Sequence, residues 1–142
     1  MARIRIVFPD QVLFETQIPV RITDLNYGNH VGNDVYLRYL QEVRAEWVKS
    51  AGYASETAIE GGGLIMADAA VSYRAEVFYG QTLKAELAAD EISRSTFDLV
   101  YCLTDVETEQ VVLLAKTGMV FFDYENRTII PIPPKFLMKL HG

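Results

Sequence analysis

Thr23-Asp24-Leu25-Asn26-Tyr27-Gly28-Asn29-His30-Val31-Gly32-Asn33 decides how this chain is to be read. The stretch holds a carboxylate, an imidazole, three side-chain amides and two glycines, and it runs straight into a long amphipathic segment. Free N–H groups and partial positive charge gather at a helix N-terminus. Polar side chains concentrated at such a place suit a reaction site better than a plain turn. His30 is one of only two histidines in the chain.

Working outward, Tyr36, Tyr39, Leu40, Val43 and Trp47 recur at helical spacing, which predicts a helix over residues 34–51 with one apolar face. Asn33 is expected to cap it and Gly52 to end it. Upstream, Val12, Phe14, Thr16, Ile18, Val20 and Ile22 alternate with more polar neighbours. That period of two is a strand, and Pro19 assigns it to an edge or a bulge. Beyond the helix comes a short segment around residues 54–60, read as loop or brief helix. Gly61-Gly62-Gly63 follows and reads as a flexible joint, because it lacks the Lys-Ser/Thr of a phosphate-binding P-loop.

The rest is strand-like. Val71, Tyr73, Ala75 and Val77 alternate, then Leu83, Ala85, Leu87 and Ala89, then Phe97, Leu99, Tyr101 and Leu103, with turns at Tyr79-Gly80-Gln81 and Ser93-Arg94-Ser95. Residues 111–122 are apolar on both faces, as in a strand from the middle of a covered sheet. Pro131, Pro133 and Pro134 lead to a short amphipathic tail, residues 135–140. The order is therefore strand, one long helix, then about four long antiparallel strands. A helix of about 18 residues spans ~27 Å, and strands of 10–12 residues at ~3.3 Å each reach a similar length. This is an α+β chain in which a curved antiparallel sheet wraps a single helix. Val112 and Leu114 on the far sheet face, with Leu37 and Val48 off the helical stripe, are expected to be buried by a homodimer or homotetramer.

Composition narrows the function. The chain has 142 residues, enough for one domain with a real core, and half are hydrophobic. A formal net charge of -6, with no block of basic residues, excludes a nucleic-acid binder of the usual kind. Cys102 is the only cysteine, so no internal disulfide forms and a reducing, cytoplasmic setting is expected. No apolar run reaches the ~18–20 residues of a membrane span, and Pro9 and Asp10 interrupt the N-terminal segment too early for a signal peptide. Two histidines 111 positions apart and one cysteine give no zinc spacing. There is no Gly-x-Ser-x-Gly elbow and no dinucleotide fingerprint.

Arg21-Ile22-Thr23-Asp24, together with Gly28-Asn29-His30-Val31-Gly32-Asn33-Asp34-Val35-Tyr36-Leu37-Arg38-Tyr39-Leu40, resembles a known signature. It is that of hot-dog-fold acyl-CoA thioesterases of the 4-hydroxybenzoyl-CoA thioesterase class: an Asp-x-Asp, a Gly-His-Val-Asn-Asn run and a Tyr-rich helix. Tyr73-Arg74-Ala75-Glu76-Val77-Phe78-Tyr79-Gly80-Gln81-Thr82-Leu83, Ser93-Arg94-Ser95-Thr96-Phe97 and Ile130-Pro131-Ile132-Pro133-Pro134 are similar to later parts of that family. The resemblance covers nearly the whole chain and implies a single hot-dog domain over residues 1–142. It also implies an acyl-CoA substrate and no cofactor, coenzyme A being part of the substrate. Two positions depart from the pattern. Asn26 stands where the family has its second acid, the usual nucleophile or base, and Gly32 replaces the first Asn of the Asn-Asn pair. A hot-dog hydratase motif does not fit, since Asp24 and His30 are six apart with no proline between them.

What the resemblance implies for the site can be set beside the chemistry of each residue. The Asn33 N–H at the helix N-terminus is expected to polarise the thioester carbonyl. His30 can activate or orient a water, and Asn26 can position one but cannot take a proton at neutral pH. Asp24, Asp34 and Glu42 are the candidate carboxylates. Tyr27, Tyr36 and Tyr39 would shape an acyl pocket, and Arg74, Lys84 and Arg94 are candidates for the phosphates of coenzyme A. The competing reading is a non-catalytic acyl-CoA binder on the same scaffold, its activity lost with the second acid.

Overall fold

The computed structural model describes residues 1–142. Six strands form one antiparallel sheet: β1 (Phe14–Pro19), β2 (Gly63–Tyr73), β3 (Thr82–Asp90), β4 (Thr96–Asp105), β5 (Val111–Asp123) and the short β6 (Thr128–Ile129). The order across the sheet is β1-β3-β4-β5-β2, with β6 paired to the end of β5. Helix α1 (Val35–Ser50) comes between β1 and β2, and α2 (Pro134–His141) closes the chain. β1 is an edge strand, which tolerates Pro19 because its missing N–H costs no ladder bond there.

One core joins α1, α2 and the inner sheet face. Tyr36, Tyr39, Leu40, Val43 and Trp47 of α1 meet Leu83, Ala85 and Leu87 of β3, Phe97, Leu99, Tyr101 and Leu103 of β4, and Leu113, Ala115, Met119 and Phe121 of β5. From α2, Phe136 packs on Trp47, Phe97 and Phe121 with ring centroids 5.6–5.9 Å apart. The helix ends as its sequence predicts. Gly52 takes φ +98°, its N–H bonds to Lys49 O and that of Tyr53 bonds to Val48 O, closing the last turn.

Several sequence-based expectations need correction. The residue preceding α1 is Asp34 rather than Asn33, and it makes no side-chain capping bond. β2 begins at Gly63 and stops at Tyr73, short of Ala75 and Val77. Its first half hides from pattern reading because an irregularity between Met66 and Asp68 breaks the alternation. Residues 54–60 form turns, not a helix. Gly62 and Gly63 are buried rather than a flexible joint. A Cβ on Gly63 would lie 2.6 Å from Glu56 O and 2.7 Å from Thr57 Cα, both backbone atoms that cannot swing aside. Gly63→Ala is therefore expected to destabilise the fold by about 1–3 kcal/mol, read as a lower denaturation midpoint. An unchanged midpoint would mean that the loop moves freely after all.

The surfaces assigned to a second subunit are also partly filled within one chain. Val48 is fully buried, and Val112 is 2% exposed because a bulge opposite Leu103 and Thr104 gives it to the core. Leu114 is half-buried and Leu37 stays exposed. On the outer face, Ala88, Val100 and Cys102 are buried although they lie outside the central core cluster. The chain before β1 accounts for them. Leu13 N–H bonds to Leu87 O beside β3, whereas Arg3 and Arg5 reach Ser72 and Arg74 at the end of β2. Gln11 and Val12 lie beside the ends of α1 and α2, so the crossing of the outer face falls to residues 6–10, a strap with Ile6 and Phe8 half-buried and Val7 turned out.

Candidate active site

The loop before α1 is held by its own backbone. Asn26 N–H bonds to His30 O at 2.9 Å, Leu25 and Val31 form a bridge, Gly32 N–H bonds to Asp24 O at 3.1 Å, and Val31 N–H bonds to Val77 O at 2.8 Å. The last of these brings residues 73–77 against the loop. A cavity of about 260 Å³ opens there, lined by His30, Val31, Asn33, Tyr36, Tyr73, Arg74, Ala75 and Glu76.

Within this cavity the imidazole has a defined tautomer. His30 Nδ1 lies 3.2 Å from Val31 O, a carbonyl that can only accept, so Nδ1 is the donor there and Nε2 is the nitrogen that carries the lone pair in the neutral ring. Asn33 is exposed at the head of α1, its carbonyl accepting the Tyr73 hydroxyl at 2.9 Å. The N–H groups of Asn33 and Asp34 have no acceptor within the chain, as the start of a helix requires. Tyr36 is buried, with its ring edge-on to Tyr39 at 5.8 Å and to Tyr73 at 5.7 Å. Burial, with Tyr73 beside it, pushes its hydroxyl up to about 12, so it stays a proton donor at neutral pH.

Other members of the sequence-derived set lie elsewhere. Asp24 is buried behind the loop, and its Oδ2 accepts both Arg21 N–H at 2.9 Å and the Tyr39 hydroxyl at 2.7 Å. Burial and this hydrogen bond raise the Tyr39 pKa. The Asn26 side chain is turned into its own loop, with Oδ1 accepting Gly28 N–H at 2.8 Å. Glu42 faces Arg21 at 3.9 Å, outside the cavity. Tyr27 stands fully in solvent and lines no part of the cavity. Arg94 lies in the β3–β4 turn, beyond the Asp90–Asp98 pair, whereas Arg74 follows Tyr73, which shares a row with Leu113, Leu103 and Ala85. About five residues of strand at ~3.3 Å each separate those rows, so Arg94 and Arg74 occupy opposite ends of the sheet. Lys84 pairs with Glu86 at 3.7 Å on the outer face.

The structure thus brings His30, Asn33, Tyr36 and Arg74 together and leaves Tyr27 and Arg94 apart. It adds Tyr73 and Glu76. Both lie in a segment that reads as a plain alternating strand, and only the Val31–Val77 and Tyr73–Asn33 contacts reveal that they wall the cavity. No three His, Cys, Asp or Glu residues come together as metal ligands would. No helix is long and apolar enough to cross a membrane.

A curved sheet around a central helix, with a polar cavity at the head of that helix, defines a hot-dog protein. Comparison with known proteins agrees. In solved structures, a 1,4-dihydroxy-2-naphthoyl-CoA thioesterase from Synechocystis superposes with a TM-score of 0.82 over 91% of this chain and 96% of its own, at 21% identity. A proposed thioesterase from Pseudomonas aeruginosa gives 0.81 over 90% and 98%, at 25% identity. A proposed esterase of Aquifex aeolicus (strain VF5) is 27% identical over 103 residues, 72% of this chain and 77% of that protein. Residues 20–140 match the thioesterase-like superfamily, and the chain belongs to that family.

Proposed function

We propose that this protein hydrolyses the thioester of an acyl-CoA to the free acid and coenzyme A. One observation carries the reading: an imidazole whose Nδ1 is tied to a backbone carbonyl, the open N-terminus of α1 and an arginine line the same cavity. The thioester carbonyl would accept the Asn33 N–H, where the helix dipole favours developing negative charge. His30 Nε2 would take a proton from water as the water oxygen bonds to the carbonyl carbon. The C–S bond then breaks, and the proton passes to the departing thiolate. In this scheme Asp24 is a positioning residue that fixes Arg21 and Tyr39 beneath the loop, and Asn26 shapes the loop around His30. Glu76 is the carboxylate at the cavity itself, ahead of Asp34 and Glu42 as a partner for the water.

Tyr36 and Tyr73 give the cavity an aromatic wall, which favours an aromatic acyl group. The Synechocystis protein named for a naphthoyl-CoA points the same way. We also propose a homodimer. β2 is the sheet's second long edge, and residues 66–69 at its middle are exposed with one side of the strand unpaired, a template for a second copy. A lone, buried Cys102 is consistent with a reducing cytoplasm.

The non-catalytic alternative rests on Asn26, whose amide cannot replace the missing acid. A panel of aromatic and medium-chain acyl-CoAs, followed by thiol release, separates the two readings. The expected result is turnover by the wild-type protein. Hydrolysis only after Asn26→Asp would identify a binder instead.

A further inference from the structure

A second cavity, of about 400 Å³, is lined by Met1, Arg3, Ile4, Arg5, Ser72 and Arg74. It lies where the N-terminal strap ends its passage over the outer face. Three arginines converge on it in a protein whose net charge is -6. None takes part in any of the chain's five ion pairs. Arg74 donates its Nε–H to Ser72 Oγ at 3.0 Å, which fixes the guanidinium plane and leaves its terminal N–H groups free. Like charges gather without carboxylates only at a cost, and planar guanidinium groups match the oxygens of a phosphate or carboxylate ligand, of which a CoA thioester supplies phosphates. Arg74 also lines the His30 cavity, so the two cavities share a wall.

We infer that Arg3, Arg5 and Arg74 form a phosphate site that holds the nucleotide end of the acyl-CoA while its thioester lies at His30 and Asn33. This assignment rests on the acyl-CoA reading above. It gives the strap a second purpose. Ile6 and Phe8 are half-buried along it, and it carries Arg3 and Arg5 to Arg74 at the end of β2.

The test compares wild type with Arg3→Gln/Arg5→Gln on two substrates with the same acyl group, an acyl-CoA and the corresponding acyl-pantetheine, which has no phosphates. The variant is expected to raise KM for the acyl-CoA about tenfold or more, as loss of charge-assisted contacts does, with the penalty confined to the substrate that carries the nucleotide. An equal rise for acyl-pantetheine, or none for either, overturns the site. Should wild type hydrolyse neither substrate, the thioesterase reading fails and calorimetry decides this one separately. Adenosine 3′,5′-bisphosphate binding that is lost in the variant, and tighter than inorganic diphosphate binding, upholds the phosphate site. No binding, or equal affinity for both, overturns its assignment to the nucleotide.

Discussion

Replacing His30 with alanine is expected to lower kcat for acyl-CoA hydrolysis by about 10²–10⁴-fold, the usual contribution of a general base, with the fold intact. The side chain makes a single hydrogen bond, to the carbonyl of its own neighbour, so its loss leaves no distant group unpaired. KM should change little if the imidazole acts on water rather than on the bound substrate. Gly28→Ala gives an independent route to the same atom. A Cβ there would lie 2.9 Å from His30 Nε2 and 3.1 Å from its Cδ2, so the ring must swing away. The variant is expected to keep the wild-type thermal midpoint and lose much of the kcat. An enzyme that turns over at the wild-type rate without His30 would remove the imidazole from the chemistry and leave Glu76 as the base to test next.

Arg44→Ala should produce a large loss of stability for a single helix substitution. Arg44 is buried beneath α1, with Nε 2.8 Å from Glu56 Oε1 and a terminal nitrogen 3.1 Å from the Tyr101 hydroxyl. That hydroxyl in turn lies 2.7 Å from Thr117 Oγ1. Burial opposes the charged guanidinium, but Tyr101 and Glu56 outweigh it and hold the group above its ordinary pKa. Removing one partner of such a network leaves the others buried and unpaired, at a cost of about 3–5 kcal/mol and ~10 °C or more in Tm. The network itself is not required for stability. Arg44→Met combined with Glu56→Leu, Tyr101→Phe and Thr117→Val removes the charges and the hydroxyls together, and it is expected to recover most of the loss. If the single variant melts with wild type, the guanidinium is solvated in solution and the network does not form.

The alternation from Phe14 to Val20, the helical stripe from Tyr36 to Trp47 and the paired strands beyond Leu83 are legible because each element buries one face. Period two and period 3.6 record that directly. Val12 and Ile22, which period two also enlists, are exposed, and Ile22 starts a 3-10 turn. Gly52 is legible for a similar reason, since a left-handed turn at the helix end favours that residue. β2 is less so, because its bulge and exposed middle blur the alternation. Arg44 shows the limit of such reading. It falls on the buried side of α1 between Leu40 and Val48, yet its charge argues for solvent until Glu56 and Tyr101 are seen beside it.

By itself, then, the sequence determined the fold class, the single long helix and the loop that holds the candidate site, since local spacing and a contiguous polar stretch encode all three. Only the tertiary structure decided which of those polar groups meet. Asp24 and His30 are six residues apart, but one is locked behind the loop by Tyr39 and the other opens into the cavity. Arg74, Glu76 and the N-terminal arginines reach their places through sheet pairing and through the strap across the outer face. Those contacts span 40 residues or more of chain, as the Tyr73–Asn33 bond does, and no local periodicity records them.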